Sequence, residues 1–432
     1  MDPAITTLCV LAVAAFLFVT ELIPLAVTAM AACTALGILG VLPSKQVYAG
    51  LSNSTVVLFG GMFVIGAAMF KTGLAEAVGL WVVNKAGTKE VPLMGAIMVV
   101  TIALSAVSSN TGTVACLMPV IVGIANAAHI PASKELMPLA VAANVGGTIT
   151  MIGTPPNVIV TGALSAAGLP SFGFFEFALI GVPLSVIVLV YMLTIGRKTI
   201  PIKSAGAMDA AAVEAAKKEA GASDDDAPKS KTKMWISGLI LLGVVAAMAL
   251  NLKTVPLQTA AVTGAILCVI TGCLKEKEAY AGIDWVTIFL FAGMLSVATA
   301  MDKTGAGKLI ADTVVGMMGD HPNPIVLCAV LYLISNVLTQ FMSNTASAAL
   351  LAPIGISIAQ SIGADPKPVL MSIGIAASMA FATPMATPPN TLVLGPGGFN
   401  FNDYVKVGVP LCIITFIASV IIIPIFWPFF PG

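Results

Sequence analysis

Two tripeptides carry the chemistry open to this chain. Ser109-Asn110-Thr111 and Ser343-Asn344-Thr345 sit near the middle of two long apolar stretches, residues 91–128 and 324–363. Ser, Asn and Thr are weak in helix interiors and strong at helix starts. Each tripeptide therefore marks a place where one half-helix ends and another begins. There, its hydroxyls and amide can cap the new helix and also reach a ligand. Each stretch is either a re-entrant hairpin of two half-helices or two full spans joined by a tight turn. A second pair of motifs, Thr154-Pro155-Pro156-Asn157 and Thr387-Pro388-Pro389-Asn390, interrupts the apolar stretches 135–168 and 366–395. Paired prolines remove two amide donors and disfavour helix in the residue before them. Non-helical backbone at membrane depth survives only where protein or a water-filled cavity surrounds it.

The motifs lie among neutral residues. No Asp, Glu, Lys, Arg or His occurs within Val91–Ala127 or Pro324–Gly363, and the other two stretches carry charge only at their entrances, Glu135 and Lys367. His129 and His321 fall in loops beside the first pair. A proton-driven carrier ordinarily needs an intramembrane Asp, Glu or His as relay. Hydroxyls, amides and unwound carbonyls instead suit Na⁺, while half-helix N-termini offer free N–H groups to an anion. The chemistry indicated is an anion held without Arg or Lys and coupled to a monovalent cation. One Ser-Asn-Thr alone is an ordinary cap and one Pro-Pro an ordinary kink; their repetition at equivalent places argues for a site. Ser105 and Thr339 each stand four residues before the serine of their motif, one helical turn away on the same face.

The elements that hold these motifs must cross a membrane. The chain has 432 residues, 58% hydrophobic and only 9% charged, with a mean hydropathy of +1.02, whereas soluble domains are about 25% charged. Its formal net charge is zero, which leaves no footprint for nucleic acid. The seven cysteines form no Cys-x-x-Cys pair and read as small buried hydrophobes. No His or Cys constellation suits a membrane enzyme, and no charged ring suits a channel. Spans of about 20 residues are expected near 4–20, 24–42, 53–70, 135–168, 174–196, 233–250, 256–274, 285–302, 366–395 and 405–428. Residues 197–233, rich in Ala, Lys, Glu and Asp, read as a solvated linker with a short helix around 207–220.

The chain is a tandem duplication. Leu58-Phe59-Gly60-Gly61-Met62 matches Leu290-Phe291-Ala292-Gly293-Met294, and Ala68-Met69-Phe70-Lys71-Thr72-Gly73 matches Ala300-Met301-Asp302-Lys303-Thr304-Gly305. Both motif pairs recur in the same order at nearly the same offset. If each Ser-Asn-Thr element is a hairpin or two spans, each half crosses an odd number of times and the halves are inverted. The basic residues then gather on the side of the linker, with the N-terminus outside, as the positive-inside rule asks.

These paired motifs, with Thr20-Glu21-Leu22-Ile23-Pro24-Leu25-Ala26-Val27-Thr28-Ala29, resemble the divalent anion/sodium symporter family of sodium-coupled dicarboxylate, citrate and sulfate transporters. The resemblance implies an all-α polytopic fold of two inverted repeats, each of about five transmembrane helices plus one re-entrant hairpin. It implies a dimerising scaffold (residues 1–90 and 233–323), an elevator-type transport domain (91–196 and 324–432) and a cytoplasmic linker (197–232). It places a small divalent anion, foremost a C4-dicarboxylate such as succinate, malate or fumarate, against Asn110, Thr111, Ser343, Asn344, Thr345, Thr387 and Pro388. It places one Na⁺ at Ser105, Ser109, Asn110 and Gly153, and a second at Thr339, Met342, Asn344 and Ala386, some through backbone carbonyls. Beyond Na⁺ it implies no cofactor; its partners are the anion and the lipid bilayer, in a bacterial inner membrane. The family also contains sodium-independent exchangers and sulfate carriers. Its members often carry a further span before the Thr-Glu-x-x-Pro segment, which this chain starts without.

Overall fold

The computed structural model describes residues 2–87, 89–203, 230–250, 255–318 and 323–430. The described residues form helices and connections, with no strand among them. The first half contributes α1 (Pro3–Thr20), α2 (Leu25–Ile38), α3 (Ser54–Lys71), α4 (Leu74–Ala86), α5 (Glu90–Ser105), α6 (Asn110–Ala127), α7 (Ala132–Gly146), α8 (Pro155–Ala166) and α9 (Ala178–Tyr191). The second contributes α10 (Lys231–Ala249), α11 (Leu257–Ile270), α12 (Trp285–Thr304), α13 (Ala306–Met318), α14 (Pro324–Thr339), α15 (Asn344–Ser361), α16 (Pro366–Ser378), α17 (Pro388–Leu394) and α18 (Phe401–Phe426). Among the described residues, these nine longer helices of each half follow one another in the same order; shorter turns such as Ser44–Val47 and Glu276–Ala281 lie between them. The chain is an all-helical polytopic membrane protein: seven of its described helices are long and apolar enough to cross a bilayer, and large apolar side chains such as Ile413, Ile417, Ile421 and Ile425 line the exposed face of α18.

Three departures from the expected spans have local causes. The span at 24–42 is a helix of only 14 residues, about 21 Å long, because Gly40 at φ 73° turns the chain out of the helix. Helices α4 and α13, too short for a span and flanked by Gly73 and Gly305 at φ 80° and 74°, lie between expected spans. α9 ends in a π-helical turn, Met192–Gly196. The helix expected around 207–220 and His321 lie outside the described residues. Glu21 caps α1 in the left-handed region at φ 49°.

The repeated sequence blocks are packing surfaces. α2 lies on α12 of the other half, and α3 lies on α11. At these crossings a Cβ on Gly61 would sit 2.8 Å from the carbonyl carbon of Ala261, and one on Gly293 would sit 2.7 Å from that of Ala29. The two contacts are the same contact made twice. Small residues let membrane helices approach closely where no hydrophobic drive between helices is available. The short helices after the Thr-Pro-Pro-Asn breaks also cross over: α8 packs on α15 and α16, and α17 on α6 and α7.

Polar contacts tie the helix ends together. At one end, Lys134 Nζ donates to Arg197 O at 2.5 Å and Ile200 O at 2.9 Å. There Ser133 Oγ donates to Pro201 O at 2.9 Å, and Lys203 pairs with Asp403 at 2.5 Å. At the opposite end, Lys367 pairs with Glu176 at 3.3 Å, Trp427 Nε1 donates to Glu176 Oε1 at 2.7 Å, and Asp365 N donates to Phe429 O at 2.7 Å. The starts of α7 and α18 thus meet the end of α9 on one side, and the starts of α16 and α9 meet the end of α18 on the other. α9 and α18 pack antiparallel.

Candidate functional site

Each Ser-Asn-Thr opens a helix. Ser109 is the N-cap of α6, and its hydroxyl accepts from Gly112 N at 3.3 Å. Ser343 holds the same place before α15. Asn110 and Asn344 are therefore first helical residues, whose backbone N–H groups have no partner within the helix. Asn110, Thr111, Ser343 and Asn344 are half-buried and Thr345 is buried. Pro119 and Pro353, interior to α6 and α15, occupy equivalent positions.

Behind each tip lies a knot of oxygens. In the first half Ser105 Oγ, at the last turn of α5, stands 2.5 Å from the Asn110 amide and 2.9 Å from Ala143 O at the end of α7. The inward end of the Asn110 amide also lies 3.1 Å from Ala143 O and 3.1 Å from Gly153 O. Gly147 admits this approach: a Cβ there would sit 2.7 Å from Asn110 Oδ1 and 2.9 Å from Gly153 O. In the second half Thr339 Oγ1 donates to Asn344 Oδ1 and, at 2.7 Å, to Ala377 O. Ser105, Asn110 and Ala143 correspond to Thr339, Asn344 and Ala377 at one constant offset. Met342 and Ala386 are buried at 4% and 3% exposure in the two turns of this second half.

The Thr-Pro-Pro-Asn motifs build the unwound backbone. Each places Pro at the first two positions of a short helix, α8 and α17. The Asn then reaches back. Asn157 Nδ2 donates to Thr150 O at 2.8 Å and Gly147 O at 3.4 Å. Asn390 Nδ2 donates to Thr383 O and Ala380 O, both at 2.9 Å. These bonds satisfy carbonyls that the break leaves without helical partners. Thr150 Oγ1 donates to Ala106 O and Thr383 Oγ1 to Gln340 O, again equivalent positions.

Two features break the symmetry. Asn144 Nδ2 donates across the halves to Thr387 Oγ1 and Asn390 Oδ1, both at 3.1 Å, so Thr387 is held by the first half. Pro388, beside it, is exposed. In the second half Asn336 Nδ2 donates to Ala376 O at 3.1 Å and Met379 O at 2.9 Å, and Gln340 Oε1 accepts from Ala382 N at 2.9 Å. Ile102 and Ala106 occupy those places in the first half, and Gly146 packs there instead, with a Cβ position 2.7 Å from Ile102 Cα.

The structure thus gathers Ser105, Asn110 and Gly153 around one oxygen cluster and Thr339 and Asn344 around another. Ala143, Ala377 and Gly147 complete the clusters and went unread in the sequence, because a carbonyl oxygen or a missing side chain carries no residue signature. Asn144 went unread because its partners are remote in the chain. Among the described residues no group of three or more His, Cys, Asp or Glu is placed to hold a metal ion.

Residues 15–369 match the family model described as Citrate transporter. The chain belongs to the citrate transporter family. An uncharacterized transporter of Haemophilus influenzae is 30% identical, over 97% of this chain and 91% of that protein. YfbS, an uncharacterized transporter of Escherichia coli, is 25% identical, over 98% of this chain and 99% of its own. The sodium-dependent dicarboxylate transporter SdcS of Staphylococcus saprophyticus is 26% identical, over 94% of this chain and 83% of that one. These relatives agree with the divalent anion/sodium symporter resemblance. Among solved structures, the YdaH transporter of Alcanivorax borkumensis shares the fold with a TM-score of 0.67 at 13% identity, covering 98% of each chain. MtrF of Neisseria gonorrhoeae shares it with a TM-score of 0.62 at 15% identity, covering 92% of this chain and 86% of its own.

Proposed function

We propose that this member of the citrate transporter family is a secondary active carrier of a small divalent anion, foremost a C4-dicarboxylate, driven by Na⁺. The observation that carries this reading is a polar cluster made twice: Ser105 Oγ, Ala143 O and Gly153 O around the Asn110 amide in one half, and Thr339 Oγ1, Asn344 Oδ1 and Ala377 O in the other. Neutral hydroxyl and carbonyl oxygens from unwound backbone suit a hard monovalent cation. The same asparagines start helices, and the free N–H groups and positive dipole ends of α6 and α15 suit a carboxylate. Asn110, Thr111, Ser343, Asn344, Thr345, Thr387 and Pro388 form the proposed anion site. Ser105, Ser109, Asn110 and Gly153 hold one Na⁺; Thr339, Met342, Asn344 and Ala386 hold the other. SdcS, named for sodium-dependent dicarboxylate transport, supports this substrate class.

The two halves are inverted repeats in this reading. The equivalent helices α7 and α16 start at opposite ends of the molecule, and α9 and α18 run antiparallel. Alternating access then moves α5–α9 with α14–α18 as one body past α1–α4 and α10–α13. Supporting this, the polar ties Asn144–Thr387, Lys203–Asp403 and Lys367–Glu176 all lie within the first group. The contact of Phe291 of α12 with Gly162 of α8 between the groups is apolar, a Cβ at Gly162 falling 2.1 Å from the ring.

Uptake of labelled succinate by proteoliposomes tests the proposal, with succinate, citrate, sulfate and aspartate as competitors. Uptake is expected to need an inward Na⁺ gradient and to respond little to a pH gradient alone. Strong uptake driven by protons without Na⁺ would sink the coupling; failure of both dicarboxylate and citrate to compete would sink the substrate class.

A further inference from the structure

We propose that the side-chain amide of Asn110 turns over with cation binding, and that this reversal couples the cation to the anion. The inference rests on the reading above. The inward end of the amide faces three oxygens and no donor other than a hydroxyl: Ser105 Oγ at 2.5 Å, Ala143 O at 3.1 Å and Gly153 O at 3.1 Å. Ser105 has one proton to offer, and it also lies 2.9 Å from Ala143 O. With the amide oxygen inward, four oxygens converge, which is stable only around a cation. With the amide nitrogen inward, the same group donates to the carbonyls and the cluster is satisfied by protein alone. The two ends of an amide have the same shape, so the exchange needs no repacking. The backbone of Gly147 lies alongside, where a Cβ would fall within 2.9 Å of both ends of the amide, on Oδ1 and Nδ2, which keeps the turning space clear.

The reversal has a consequence at the other end of the amide. Asn110 is half-buried at the start of α6, so its outer end faces away from the cluster. Oxygen inward leaves the nitrogen outward, a donor for a carboxylate. Nitrogen inward leaves the oxygen outward, an acceptor that repels one. A cation therefore converts the anion site from repelling to attracting, and an anion favours the cation by the same factor. Asn344 repeats the arrangement in part: its Oδ1 accepts from Thr339 Oγ1, the hydroxyl that also lies against Ala377 O.

Two measurements test this. The first uses the wild-type protein labelled with ¹⁵N-asparagine in lipid, read by solid-state NMR, with the Asn110 side-chain resonance assigned by its loss in Asn110→Ser. That resonance is expected to shift between saturating Na⁺ and choline. The second uses Asn110→Asp, whose carboxylate offers oxygen at both ends. In the wild type, Na⁺ is expected to raise succinate affinity about tenfold or more, within the usual range of coupling between sites. In Asn110→Asp, Na⁺ is expected still to raise the thermal stability of the carrier while its effect on succinate affinity falls below about twofold. If Asn110→Asp does not fold, Asn344→Asp repeats the test and the wild-type resonance decides alone. Na⁺-driven succinate uptake with an unmoved Asn110 resonance, or with coupling intact in the variant, overturns the amide reversal and leaves the symport reading standing. If Na⁺ neither drives uptake nor shifts any asparagine resonance, the symport reading itself falls.

Discussion

In the proposed site, Asn110 and Asn344 each serve a cation cluster with one face and a helix start with the other. Their replacement by alanine removes both roles, so Asn110→Ala and Asn344→Ala are each expected to reduce Na⁺-driven uptake to background while the protein still reaches the membrane. In the same proposal the hydroxyls behind them are single ligands. Ser105→Ala is expected to raise the Na⁺ concentration for half-maximal uptake about tenfold or more, since a lost hydrogen-bonding contact to a charged group is worth about 1.5–3 kcal/mol. Thr339→Ser, which keeps the oxygen, is expected to change it little, whereas Thr339→Ala behaves as Ser105→Ala. The residues that act through side chains were legible here: Ser-Asn-Thr announces a helix start, and the one-turn spacing back to Ser105 and Thr339 follows from helix geometry alone. The carbonyls of Ala143 and Ala377 were not legible, because which carbonyl is freed depends on where α7 and α16 unwind.

At the level of elements, the duplicated Leu-Phe-small-Gly-Met block was visible in the chain, but its purpose was not. Gly61 and Gly293 each abut a partner backbone at less than 3 Å from a Cβ position. Gly61→Ala and Gly293→Ala are expected to lower stability alike, each by about 1–3 kcal/mol as in overpacked cores, read as a fall in melting temperature in detergent. The Asn of each Thr-Pro-Pro-Asn was read only as part of a break. It is the brace that makes the break tolerable, tying back the carbonyls at 147 and 150 in one half and at 380 and 383 in the other. Asn390→Ala leaves two buried carbonyls without donors, at about 1–3 kcal/mol each, and is expected to destabilise the protein by more than Thr391→Ala. Helices α4 and α13 escaped the sequence reading because a 13-residue helix falls below the length that crosses a bilayer.

On the scale of the whole molecule, most of the charge among the described residues lies at helix ends and in connections, where it joins elements. Lys71, at the end of α3, pairs at 3.1 Å with Glu278 of the short helix Glu276–Ala281 that precedes α12. Partial burial pushes the Glu278 carboxyl up. The Lys275 backbone N–H and the Lys71 ammonium outweigh this, so that it ionises below its ordinary value. A depressed carboxyl stabilises the fold at pH above its unfolded value, and that contribution fades as pH falls through the folded one. The melting temperature of wild type is therefore expected to exceed that of Glu278→Gln at pH 7, with the gap closing below about pH 4. Polytopic class, duplication and neutral core were all legible from composition and repeats. Which helix ends meet was not, because Lys134, Lys203 and Asp403 meet across long separations in the chain.

The bracing by Asn336 and Gln340 has no counterpart in the first half, where Gly146 rests directly on Ile102. The copies have thus diverged from interchangeable duplicates into a stiff member and a compliant one. In the proposed two-site carrier, the cluster braced by amides is expected to hold its shape before a cation arrives, and the one closed by glycine packing to be drawn into shape by the ion. Filling is then expected to be ordered, the second-half cluster first, so that the duplication becomes a sequence in time.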